Sequence, residues 1–197
     1  MNTITQILDE ESLSRLAALR GGVWRYLGGV QVSNWMTDVS LFIATDSRLL
    51  TITGETTELD FEGEDDTYAR FRIDDGATDL DAASKSGHLY YFNSGQTVQD
   101  VLIVRETVTE HREGQTTWSY VTDIGIVFVL SGGLIAIGKV GHHTELLSVT
   151  RAQNLDALKL DDPSHGWEDR LDVEYSIERQ TLAIDSLRRT GRPDAIR

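Results

Sequence analysis

The sequence predicts an α+β, β-rich fold: mainly antiparallel sheet with an N-terminal helix. Three observations carry this. A helical apolar stripe (Leu8, Leu13, Leu16, Ala17, Leu19) occurs near the start and stops at Gly21-Gly22. From Val23 onward the apolar pattern is alternating or continuous, as in strands. Residues 38–53 also lie on residues 123–138 without a gap, as two similar hairpins would.

The elements follow in order. The helix has Asp9, Glu10 and Glu11 in its first turn, where the helix dipole favours acids. Residues 23–32 read as a strand, and Gly28-Gly29 predicts a bulge or a close backbone approach within it. Residues 38–45 and 49–53 form a hairpin around Asp46-Ser47-Arg48, and 58–62 is a further strand. Glu62-Gly63-Glu64-Asp65-Asp66 reads as an acidic turn. In 68–73, Tyr68, Arg70 and Arg72 share one face and Ala69, Phe71 and Ile73 the other. Residues 74–87 are a polar loop or weak helix, and they divide the chain into a first α+β half, 1–85, and a second β-rich half, 86–197, within one compact unit.

The second half restarts at 88–92. A hairpin follows, 101–110 with 116–122, turning at Arg112-Glu113-Gly114-Gln115. Residues 124–130 are apolar except Gly125 and predict a central strand buried on both faces, which Ser131-Gly132-Gly133 turns into 134–137. Residues 143–149 read as a strand, 152–160 as a short helix and 171–177 as an alternating strand. Residues 178–189 fit a helix face through Thr181, Ile184 and Arg188, and a strand through Leu182 and Ile184.

In the proposed repeat, Leu41, Ile43 and Ala44 fall on Ile126, Phe128 and Val129, while Leu49, Leu50 and Ile52 fall on Leu134, Ile135 and Ile137. It is read as an internal duplication; two generic buried hairpins would share the same apolar pattern.

Composition narrows the function. The 197 residues contain no cysteine, which excludes a disulfide framework, a thiolate zinc site, an iron–sulfur cluster and a cysteine nucleophile. A net charge of −14 argues against nucleic acid and against an anionic membrane as partners. The first residues lack a basic stretch followed by an apolar one. The longest charge-free stretch, from Asp123 to Lys139, is broken by Ser131-Gly132-Gly133 and is shorter than the roughly 20 apolar residues of a spanning helix. The expectation is a soluble, cytoplasmic protein.

Few residues carry a catalytic signal. His142-His143-Thr144-Glu145 is the densest histidine cluster, but on a strand His142 faces away from His143 and Glu145, and no spacing supplies a third metal ligand. No cofactor and no tightly bound zinc are expected. A nucleophile elbow, a phosphate loop and a dinucleotide fingerprint are all missing. Trp24, Trp35, Trp118 and Trp167 read as core, or, for one or two of them, as part of a binding surface.

Sixteen of the 32 acids precede residue 100 against seven basic residues, leaving that stretch at −9. The profile favours a non-enzymatic acidic module of immunity type that neutralises a basic protein partner, with Glu62, Glu64, Asp65 and Asp66 at the contact. A solvated acidic turn without a partner would look the same in sequence. Two other readings stay open. One is a small-molecule binder or enzyme with its site between the halves, marked by His143, Glu145 or His88 beside an exposed Trp. The other is an assembly protein whose open sheet edges build a homo-oligomer.

Overall fold

A computed structural model describes residues 2–29, 37–61, 64–76, 88–162, 167 and 172–190. Two antiparallel sheets dominate. The first has the order β6 (Glu64–Asp75), β5 (Leu49–Phe61), β4 (Ser40–Thr45), β2 (Trp24–Gly29), β7 (His88–Tyr90). The second has the order β12 (Val173–Ala183), β8 (Val98–Arg112), β9 (Gln115–Leu130), β10 (Gly133–Lys139), β11 (Leu147–Ala152), β3 (Thr37–Asp38). β1 (Asn2–Gln6) lies parallel to β9, opposite residues 118–122.

One core joins the sheets. Leu41, Ile43 and Ile52 from the first pack with Ile126, Phe128 and Ile135 from the second. The predicted helix is α1 (Glu10–Ala17), capped by Asp9, whose carboxylate accepts from Ser12 N at 2.7 Å. It buries Leu13 and Leu16 and packs against α2 (Ile184–Thr190), β6 and β8. A second apolar cluster, with Val127, Leu134 and Ala136, is covered by Leu158 and Leu160. The strand over 124–130 is therefore buried on both faces, as its composition predicts.

The two hairpins aligned by sequence pair identically. Ser40↔Thr53, Leu41↔Ile52, Phe42↔Thr51, Ile43↔Leu50 and Ala44↔Leu49 fall on Gly125↔Gly138, Ile126↔Ile137, Val127↔Ala136, Phe128↔Ile135 and Val129↔Leu134. The surroundings match as well. β2, β4, β5 and β6 are laid down side by side, as are β8, β9, β10 and β11, and in each sheet the next strand, β7 or β12, returns to the open side of the first. β1 and β3, which precede residue 85, nevertheless belong to the second sheet.

Several expectations change. The stretches 49–53 and 58–61 are one strand, β5, and 116–122 and 124–130 are one strand, β9. A bulge at Ile124, where Val104 pairs with Gly125 and Arg105 with Asp123, shifts the alternation and makes β9 look like two pieces. Glu64, Asp65 and Asp66 lie on β6 rather than in a turn, because pairing with β5 runs on to Phe61↔Glu64. Residues 140–146 form a loop, and the strand expected from His143 begins at Leu147. The helix expected over 152–160 is a single 3-10 turn, Leu155–Ala157, capped by Asn154. Residues 178–189 are both things in succession, strand to Ala183 and helix from Ile184. The bulge in β2 falls between Trp24 and Tyr26, while Gly29 is a close approach, with Asp38 packed where a Cβ would stand. Glu113 and Gly114 both have positive φ, the geometry of the tight hairpin turn the sequence suggests.

Candidate functional site

Past Thr53, β5 pairs only with β6, so the two strands form an arm that leaves the first sheet. The arm is tied to the second sheet at its middle. Ala69 N donates to the His142 carbonyl at 2.6 Å, and Lys139 Nζ donates to the Ala69 carbonyl at 2.6 Å. At Gly54 the arm passes so close to the Glu145 carbonyl that any Cβ would collide with it. Towards the tip, Asp60 stands opposite Asp65, and Glu58, Asp60 and Asp66 are exposed. No Lys or Arg occurs between Arg48 and Arg70. The nearest bases are engaged below the tip: Arg70 pairs with Glu55, and Arg72 pairs with Glu55 and Asp74. Of the acids picked out in sequence, Glu62 lies outside the described residues, and Glu64 and Asp65 are placed by their backbones. Asp66 accepts from Thr67 N at 2.7 Å and lies 3.8 Å from His143 Nδ1.

Beneath the arm lies a buried charge network. Glu106, wholly buried, accepts from His142 Nε2 at 2.9 Å and from Arg179 Nε at 2.5 Å, and Arg179 also reaches Asp162. Asp123 accepts from Leu8 N at 2.8 Å and from Arg105 Nε at 2.7 Å. Tyr68, Tyr120 and Trp167 pack on the two histidines, and Trp118 and Tyr175 pack on Trp167 in turn. Tyr120 donates to Gln6 Oε1 at 2.5 Å. Three buried atoms here have no hydrogen-bond partner: Gln6 Nε2, His142 Nδ1 and Trp167 Nε1. A carboxylate bonded to an imidazole can orient a general base. The His142 carbonyl and the Lys139 ammonium both bond the Ala69 backbone, so this network clamps the arm in place.

Lys139 gives the clamp a pH signature. Its ammonium donates to Ala69 O and to Thr122 Oγ1 at 2.7 Å, and it is 1% exposed. Burial pushes it down to about 7, against the pull of Asp123 and Glu106. The unfolded chain holds the same proton up to about pH 10.4. Between those values the unfolded state is the more protonated one, so this group makes stability rise with pH and then level off. Wild type should therefore gain stability over Lys139→Met, on the order of 1 kcal/mol per pH unit, between about pH 7 and 9.5. Urea denaturation across that range checks it, and parallel curves would mean that Lys139 stays charged throughout. The phenols of Tyr68 and Tyr120, which burial pushes upward, are present in both proteins and cancel in the difference.

Two of the crevices among the described residues are open to solvent. One, about 220 Å³, is largely apolar and lies between Ile7, Leu13 and Leu187, with Arg105 and Arg188 at its rim. The other, about 370 Å³, is polar and is lined by Asn93, Gln96, Gly132, Arg151 and Gln153, with Leu134 at its base. It lies where the loop after β7 meets the β9–β10 turn and the end of β11.

The structure sorts the residues named from sequence. His143 Nδ1 donates to the Thr67 carbonyl at 3.0 Å, and Glu145 accepts from Thr56, so the two do not converge. Among the described residues, no group of three or more His, Asp or Glu could hold a metal ion. Trp24 and Trp118 are core residues, Trp167 is half-buried among the rings, and Trp35 lies outside the described residues. His88 is on β7. The sequence reading missed Glu106, Asp123, Lys139 and the whole polar crevice. Searches of family models, curated proteins and solved structures matched nothing to this chain.

Proposed function

We propose that the protein is a non-enzymatic module that binds a basic protein partner through the acidic tip of its β5–β6 arm, in the manner of an immunity protein. Glu62, Glu64, Asp65 and Asp66 stand at the contact. The observation that carries this reading is the division of charge along the arm. Arg70 and Arg72 are neutralised by Glu55 and Asp74 on its shaft, while the tip holds acids and no base. Like charges opposite one another, as at Asp60↔Asp65, cost stability in a sheet, and a cationic partner would relieve that cost. The clamp through Ala69 and His142 supports the reading too, because a fixed arm presents its charges without an ordering penalty. The matching strand orders of the two sheets fit the further proposal that they are related halves.

A negative tip acts over about 8 Å at physiological salt, so it should govern the association rate more than dissociation. The combined variant Glu64→Lys, Asp65→Lys, Asp66→Lys should fold normally, and it should lose a partner that wild type retains from the source cell's lysate. Wild-type association with that partner should slow steeply as salt is added. Equal recovery by both proteins, with association insensitive to salt, would remove the arm from the mechanism.

A further inference from the structure

We propose that the polar crevice beside β11 binds a small organic carboxylate, gripped by Arg151 and by the side-chain amides of Gln96 and Gln153. This site does not depend on the acidic-arm reading.

The walls are built and held. Asn93 has φ +56°, a left-handed conformation uncommon for a residue other than glycine. The turn that contains it is pinned to β2, with Trp24 N donating to the Gln96 carbonyl at 2.8 Å and Gly95 N to the Trp24 carbonyl at 2.9 Å. Gln96 Oε1 accepts from Gly132 N at 3.0 Å and from Asn93 Nδ2 at 3.3 Å. Two N–H donors meeting at one atom identify it as the amide oxygen, which leaves the Gln96 NH₂ free to donate. Arg151 lies 4.4 Å above the Phe92 ring, which is itself stacked on Tyr90 at 5.3 Å.

The chemistry on offer is an excess of donors. Arg15, Arg20, Arg70, Arg72, Arg105, Arg112 and Arg179 are ion-paired to acids of this chain. Arg151 rests on an aromatic face instead, in a protein of net charge −14. A guanidinium held flat offers its fork to a carboxylate in two parallel hydrogen bonds. Leu134 provides an apolar base for a short carbon stem. One guanidinium and two neutral amides match a single negative charge, whereas a phosphate dianion would be left half-neutralised. A volume near 370 Å³ is at the small-ligand end of the usual range.

The test is an NMR titration of the full chain with butyrate, a monocarboxylate, with glycylalanine and inorganic phosphate as parallel arms. Butyrate should saturate shifts of Gly132 N–H and of the Gln96 and Gln153 side-chain amides, with a dissociation constant of about 1 mM or tighter. Arg151→Gln should weaken binding by roughly tenfold or more, and Arg151→Lys by less, because the charge remains while the fork is lost. Arg151 is exposed, so both variants should keep the wild-type spectrum elsewhere. The proposal fails if no shift saturates, if Arg151→Gln binds as wild type does, or if phosphate binds as tightly as butyrate. Tighter binding of the dipeptide would overturn the small acid as the ligand and assign the crevice to a peptide terminus.

Discussion

Truncating Phe128 to alanine is expected to lower the unfolding free energy by about 3–5 kcal/mol, a large share of a typical 5–15 kcal/mol stability. Phe128 has no exposed surface and lies on the middle strand of the larger sheet, paired with Ile135 on one side and Val101 on the other. Its ring packs 5.4 Å from that of Trp24, so it also takes part in the contact between the two sheets. Removing it opens a cavity bounded by strands that pair on both sides and have little freedom to close it. Chemical denaturation of Phe128→Ala beside Phe128→Leu measures the effect. Alanine should cost clearly more than leucine, and equal midpoints for alanine and wild type would place Phe128 outside the core.

Removing the Glu106 carboxylate should cost somewhat less, about 1–3 kcal/mol, by a different route. Glu106→Ala leaves the buried His142 Nε2 without its acceptor, while the half-exposed Arg179 guanidinium keeps Asp162. His142 already titrates below its ordinary value, chiefly because it is buried, and Glu106 pulls the other way. Loss of Glu106 should therefore lower the His142 pKa further. The linkage has a definite sign. As pH falls from about 6.5, the unfolded histidine takes up a proton that the folded one refuses, so stability drops until the folded-state pKa is passed. In Glu106→Ala that decline should extend to lower pH than in wild type. Histidine NMR titration with acid denaturation checks both parts, and an unchanged His142 pKa would show that Glu106 does not act on it.

Much of the fold was legible because its main signals are local. The α1 stripe, the hairpin registers and the tight turn at Glu113-Gly114 each depend on residues within one or two turns of chain. β1 was not legible: Asn2–Gln6 has one apolar residue, and it is a strand because β9 offers an edge there. The charge network left a trace that a stricter use of alternation would have caught. On β8, Val104, Glu106, Val108 and Glu110 share a phase, and all four are buried. Two acids in the inward phase of a strand demand partners. Asp123 and Lys139 bound the longest charge-free stretch, and both proved to be buried. The polar crevice had no such trace, since its donors come from three segments that only the folded sheets bring together.

The parallel pairing of β1 with β9 also bears on how the chain folds as it is made. Gln6 and Tyr120, which share a hydrogen bond, are 114 residues apart in sequence. At a synthesis rate of about 5–20 residues per second, β1 leaves the ribosome on the order of ten seconds before its neighbour. During that interval α1 has β6 to lie on but neither β8 nor α2, so its apolar face is only partly covered. Closing so long a loop adds only a few kcal/mol of entropy cost, because that cost grows with the logarithm of length. The delay therefore falls on timing rather than on final stability: β1 docks only after β9 has emerged, and α1 completes its packing only after β8 and α2.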